Sequence, residues 1–125
     1  MASILLSIKP EFAEKILRGE KRYEFRRKLC QKEVDKIYIY ETSPVKRVVG
    51  EAVVIEKLQG DKEKIWERTK DFAGVTREGF EQYFADMKTA GAYCLGKVTA
   101  YEITKNIKSF GISAAPQSFV YVKES

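Results

Sequence analysis

Hydrophobic and polar positions follow two different periods along this chain, and the change between them marks out the elements. Ile4-Leu5-Leu6-Ser7-Ile8 is a short apolar run of strand length, and Pro10 behind it suits the first position of a helix over Pro10 to Arg18. Phe12, Ala13, Ile16 and Leu17 recur there at helical spacing, and Gly19 is a natural left-handed terminator. After Gly19 the period becomes two. Tyr23, Phe25 and Arg27 face one way while Arg22, Glu24 and Arg26 face the other, so the second set is entirely charged. Lys36 to Glu41 alternates Ile37 and Ile39 against Tyr38 and Tyr40, Ser43-Pro44 marks a turn, and Arg47 to Leu58 reads as a long strand with a bulge or bend at Gly50.

The middle of the chain returns to helical spacing. Lys64 to Phe72 places Ile65, Trp66, Thr69 and Phe72 on one face and stops at Gly74. A further helix runs from Thr76, a suitable cap, to Met87, with the stripe Phe80, Tyr83, Phe84 and Met87. Ala92 to Ile107 reads as one or two strands bent near Gly96, and Ser118 to Val122 as a closing strand. Several neighbouring strands are joined too briefly for crossover helices. The pattern therefore predicts an α+β class with a mixed, partly open β-barrel of about six strands and two or three short helices.

Composition narrows the chemistry. With 125 residues, 44% hydrophobic and 33% charged, residues 1–125 form a single domain able to build its own core. The run at Ile4 is too short for a signal peptide or membrane span, and Cys30 and Cys94 lie outside any CxxC pattern, so the expected setting is cytoplasmic, with no membrane and no metal. Histidine is absent, which removes Ser-His-Asp and Cys-His catalysis and His-based metal ligation. No cofactor is expected. The net charge of +5 is uneven: residues 1–50 hold 12 Lys/Arg against 7 Asp/Glu, and residues 51–90 hold 7 against 9. Such an asymmetry points toward a polyanion.

The chemically informative segment is Gly19-Glu20-Lys21-Arg22-Tyr23-Glu24-Phe25-Arg26-Arg27. Glu24 and Arg26 share a strand face, whereas Lys21 and Glu24 differ by an odd number and meet only if Lys21 sits in the turn or at a bulge. Meeting, they form a site of two cations and one carboxylate, in which Lys21 or Arg26 clamps a phosphate and Glu24 orients them or accepts from a base. Otherwise the segment is a solvated charged face with weak ion pairs.

Gly19, Lys21, Glu24 and Arg26 match the G-x-K-x-x-E-x-R signature of the ASCH domain family, and Ser7-Ile8-Lys9-Pro10, Tyr38-Ile39-Tyr40, Ser43-Pro44-Val45, Val49-Gly50-Glu51 and Ala115-Pro116-Gln117-Ser118-Phe119 continue the resemblance over nearly the whole chain. The resemblance implies a PUA-like barrel, a basic cleft beside the motif strand, and RNA or a nucleotide as partner. Tyr23, Tyr38, Tyr40, Phe119 and Tyr121 are aromatic groups available for base stacking, Tyr38 and Tyr40 foremost, because Ile37 and Ile39 already supply the more apolar face. Lys9, Arg22 and Arg27 widen the electropositive rim, and Ser43 and Gln117 are polar candidates for the cleft.

Three readings stay open, of which the third is a protein-interaction or regulatory domain with no salt-dependent nucleic-acid affinity. An RNA- or nucleotide-binding module would use Lys9, Lys21, Arg22, Glu24, Arg26, Tyr38, Tyr40, Ser43 and Gln117. A hydrolase of a modified nucleoside or RNA would use Lys21 and Glu24 as catalytic groups. One ASCH branch is similar to an amidohydrolase of acetylated cytidine with a lysine at the position of Lys21. Its threonine nucleophile falls on Glu24 here, and its distant acid has only the unanchored candidates Glu67 and Asp71. Ribonuclease-like cleavage would instead ask Glu24 to take the 2′-hydroxyl proton and Lys21 or Arg26 to stabilise the phosphorane.

Overall fold

The structure is a computed structural model that describes residues 2–123. Its described residues form six strands and three α-helices in the order β1 (Ala2–Ile8), α1 (Pro10–Leu17), β2 (Tyr23–Phe25), β3 (Val34–Glu41), β4 (Arg47–Asp61), α2 (Lys62–Thr69), α3 (Arg77–Phe84), β5 (Thr89–Lys105) and β6 (Phe119–Val122). All six strands join one sheet in the order β2-β5-β4-β3-β1-β6. Only β1 and β3 run parallel, since α1 and β2 lie between them in sequence and supply a crossover. The other pairs are antiparallel. The sheet curls but does not close, so the architecture is the expected α+β, partly open barrel of six strands.

Curling comes from the two longest strands. Between β4 and β5 the register shifts three times, at Val48/Gly50, Ala52/Val54 and Val54/Glu56, and each shift adds local twist. The bulge expected at Gly50 is the first of these. The segment Ala92 to Ile107, which allowed one strand or two, falls on a single strand of 17 residues, Thr89–Lys105, that begins three residues earlier and stops before the 3-10 helix at Ile107–Phe110.

Three apolar clusters hold the layers together. The main core lies between α1 and the sheet, where Ala13 and Ile16 meet Ile4, Leu6, Ile8, Ile37 and Ile39. A second cluster lies beneath α2 and α3, where Phe25 and Leu58 meet Trp66, Phe80 and Phe84. The third lies on the other side of β1 and β3, where Leu5, Tyr38, Tyr40 and Val48 are covered by Ile107, Phe110 and Ile112. No helix among the described residues is long and apolar enough to cross a membrane.

The α2 stripe departs from its expected form at one end. Ile65, Trp66 and Thr69 are buried, but Phe72 is 41% exposed. The last turn tightens into a 3-10 helix over Lys70–Phe72, which changes the angular phase and swings Phe72 outward, under the Arg22 guanidinium at 4.2 Å. Similarly, α3 ends at Phe84 and not at Met87, because Ala85 adopts φ 48°. Tyr83 is left 42% exposed at the surface of its own stripe.

Candidate functional site

Backbone geometry before β2 decides whether the charged motif converges. Gly19 takes φ +79°, and the Glu20 and Lys21 amides both donate back to the Lys15 carbonyl, so the chain reverses at the end of α1. Lys21 thus sits in the turn, two residues ahead of β2, and escapes the strand's alternation. Its side chain then enters the protein and shares a cleft with Glu24 and Arg26.

That cleft has a volume of about 780 Å³ and lies between the first turns of α1, the motif strand, and α3 with the loop before it. Lys21 and Glu24 form its floor, with side-chain exposures of only 1% and 7%. The Lys21 ammonium donates to the Ala73 carbonyl at 2.6 Å and stands 3.8 Å from Glu24 Oε1. The rings of Phe25 and Phe12 lie 4.8 and 5.4 Å from it. Burial is the largest influence on this group and drives its pKa down to about 8, against the opposing pull of Glu24.

Arg26 fixes the carboxylate. Its guanidinium donates to Glu24 Oε2 through both Nε (3.2 Å) and Nη2 (2.8 Å), and also to the Ser7 carbonyl at 2.7 Å and to Ser118 Oγ at 3.3 Å. Glu24 Oε2 is thereby occupied, while Oε1 faces Lys21. The floor offers an acceptor beside a donor, as needed to hydrogen-bond the polar edge of a base or to handle a proton next to a phosphate.

Gly74 explains why the lysine fits. A Cβ at this position, where φ is +70°, would stand 2.6 to 2.7 Å from the Lys21 side-chain carbons. Only glycine combines that backbone conformation with that approach.

Among the residues named from the sequence, Lys9, Lys21, Glu24, Arg26 and Gln117 all line the cleft. Arg22 lies outside it, stacked on Phe72, because β2 begins only at Tyr23 and its alternation does not reach back to Arg22. Tyr38 and Tyr40 are buried in the cluster on the opposite side of the sheet, with the Phe110 ring 4.7 Å from Tyr38. Ser43 is exposed in the turn after β3 and is not among the lining residues, although its neighbour Thr42 is. Tyr23 packs beside the second cluster and Phe119 and Tyr121 beside the main core. Glu67 pairs with Lys70 at the exposed surface, and Asp71 is exposed.

Other lining groups were not assigned to a site from the sequence. Glu11, Phe12 and Lys15 come from α1, and Val75, Thr76, Gln82 and Tyr83 from α3 and the loop before it. Helical periodicity marked Phe12 and Tyr83 as core, and it carries no sign that the two helices face one another across a gap. The cleft has four cationic side chains (Lys9, Lys15, Lys21, Arg26) against two carboxylates (Glu11, Glu24), an excess that favours an anionic ligand.

Comparison with known proteins gives consistent results. A family model for the ASCH domain matches residues 6–110. A curated protein of Zymomonas mobilis, described as an ASCH domain-containing ribonuclease, is 36% identical over 92 residues, which make up 73% of this chain and 62% of that protein. The chain therefore spans less than two thirds of that relative's length. The crystal structure of ASCH from Zymomonas mobilis superposes with a TM-score of 0.88 at 29% identity, covering 98% of this chain and 88% of the other. The ATP synthase subunit alpha of Ureaplasma parvum is 29% identical over 122 residues, 97% of this chain but 15% of its own length.

Proposed function

The chain belongs to the ASCH domain family, and from that premise we propose that its cleft binds single-stranded RNA, seating one nucleotide over Lys21 and Glu24. The observation that carries this reading is the convergence of Lys21, Glu24 and Arg26 on the floor of one solvent-accessible cleft. Arg26 acts as a positioning residue, since its donors are largely taken by Glu24, Ser7 and Ser118. The ligand meets Lys21, Glu24 and the more exposed Lys9. The 42% exposed ring of Tyr83 and the half-buried ring of Phe12 provide the stacking surfaces, in place of the enclosed Tyr38 and Tyr40.

Fluorescence anisotropy with a labelled single-stranded RNA tests the reading. Affinity falls steeply with salt in the wild type, and Lys9→Ala reduces the log–log slope by about 1. Affinity that ignores both salt and Lys9→Ala rejects the cleft as an RNA site.

A second reading, RNA cleavage, is favoured by the ribonuclease among the relatives together with a lysine whose pKa of about 8 places proton exchange near neutrality. Glu24 takes the proton of a 2′-hydroxyl, whose oxygen attacks the adjacent phosphorus. Lys21 returns a proton to the departing 5′-oxygen, leaving a cyclic phosphate and a free 5′-hydroxyl. Incubation of the same RNA with wild type and Glu24→Gln separates the readings. Cleavage lost in the variant with binding retained marks an enzyme, and binding without cleavage in either marks a reader.

A further inference from the structure

The loop between β2 and β3, residues 26–33, holds four cations (Arg26, Arg27, Lys28, Lys32) against one carboxylate (Glu33). Arg26 is engaged at the cleft floor. Arg27, Lys28 and Lys32 are exposed, and none of them has a carboxylate within ion-pair distance among the described residues.

The backbone beneath these cations is held in place. The Arg26 amide donates to the Gly91 carbonyl at 3.0 Å and the Cys30 amide to the Tyr93 hydroxyl at 2.8 Å. Lys57 Nζ donates to the carbonyls of Cys30 and Lys32 at 2.7 and 3.1 Å. The charged side chains therefore project from a fixed base, and little backbone ordering is left to oppose a ligand.

One end of the loop opens directly onto the cleft. The Arg27 amide donates to the Tyr83 hydroxyl at 3.3 Å and Arg27 Nε to the Tyr83 carbonyl at 2.8 Å, with the guanidinium 5.9 Å from the ring centre. Tyr83 lines the cleft and is exposed, so the way from the cleft to Arg27 crosses an open surface. The other end lies along β6. Arg26 reaches Ser118 Oγ just before that strand, and the Lys32 amide donates to the Tyr121 hydroxyl at 3.1 Å, with the Lys32 ammonium 4.8 Å from the same ring. Tyr83 with Arg27 stands at the cleft mouth and Lys32 with Tyr121 at the far end. Positive charge for phosphates beside ring faces for bases is the combination that follows a single strand.

We infer that the β2–β3 loop is an exit track for single-stranded RNA, on which Arg27, Lys28 and Lys32 take successive phosphates of the strand leaving the cleft past Tyr83. The inference rests on the reading of the cleft as an RNA site and narrows its ligand to a strand that continues beyond the seated nucleotide. Contacts to phosphates and ring faces carry no base identity, so the track responds to strand length and not to sequence.

Fluorescence anisotropy with a labelled single-stranded RNA of about 12 nucleotides tests the track. Arg27→Ala, Lys28→Ala and Lys32→Ala combined lower the log–log salt slope by about 2. The same loss of charge through Lys97→Ala, Lys105→Ala and Lys108→Ala, at exposed positions that do not line the cleft, leaves the slope unchanged. Photo-crosslinking of wild type to a thiouridine-substituted strand of that length gives a readout free of any substitution, and its adducts fall on the peptides holding Tyr83 and Tyr121. A wild-type slope in the track variant, equal losses in the two triple variants, or crosslinks that stop at Tyr83 overturn the track, and a slope still lowered by Lys9→Ala then leaves the cleft reading standing. Absence of salt-dependent binding by wild type overturns the cleft and the track together.

Discussion

An ammonium group at the place of Lys21 disfavours the folded state, and the structure shows how the cost is limited. Burial lowers its affinity for a proton, and the Ala73 carbonyl and Glu24 recover part of the lost hydration. Because the folded pKa is about 8 and the ordinary lysine value is 10.5, the unfolded chain holds the proton more tightly between those values. Stability therefore rises with pH through this window as the folded state sheds its unfavourable charge. Lys21 alone contributes an increase of about 2 kcal/mol between about pH 8 and 10. Burial pushes the Cys94 thiol up from 9.0 and the phenols of Tyr93 and Tyr101 up from 10.0, so each lowers stability as pH passes its ordinary value and opposes the rise, and the Lys21 contribution is read as the difference between wild type and a variant without the ammonium. Urea unfolding at several pH values is expected to show wild type gaining stability relative to Lys21→Met through this window. Parallel profiles would mean that the ammonium is far better solvated than its surroundings indicate. A lysine kept where it weakens the fold is explained most directly by work at the cleft.

At the scale of elements, the segment from α2 to α3 is a cap whose turn at Ala73-Gly74 holds the lysine from above. Gly19 and Gly74 are a controlled pair. Both adopt positive φ, but a Cβ at Gly19 meets nothing within 4 Å while one at Gly74 strikes Lys21. Gly19→Ala is expected to cost about 1 kcal/mol from backbone strain alone. Gly74→Ala costs more and weakens RNA binding, since Lys21 must move. Thermal unfolding and anisotropy on the two variants check this, and equal losses in both assays would show that the contact with Lys21 is unimportant. The same element shows where periodicity succeeds and fails. Ile65, Trp66, Phe80 and Phe84 were legible as core because burial imposes helical spacing. Phe72 was not, because a 3-10 turn alters the angle per residue without altering the letters.

Across the whole molecule, three separate clusters allow parts of the fold to open independently. The cap rests on its own cluster around Phe80 and Phe84, apart from the core beneath α1. Amide exchange is expected to be faster in α2 and α3 than in β1 and β3, and bound RNA to slow it in α1 and α3 while leaving the Ile107–Phe110 segment unchanged. Slowing confined to that last segment, near Tyr38, would place the RNA on the opposite face of the sheet. The primary sequence by itself determined the elements, the class and the motif, because burial of one face writes a period of two or 3.6 into neighbouring letters, and Gly19, Lys21, Glu24 and Arg26 lie within one short segment. Tertiary structure alone decided that Lys21 turns inward, that Arg22 leaves the cleft for Phe72, that Tyr38 and Tyr40 are enclosed, and that Phe12 and Tyr83 face each other's helices across the site. Those outcomes depend on how α1 and α3 are set against a curled sheet, and a contact between distant segments leaves no period in either one.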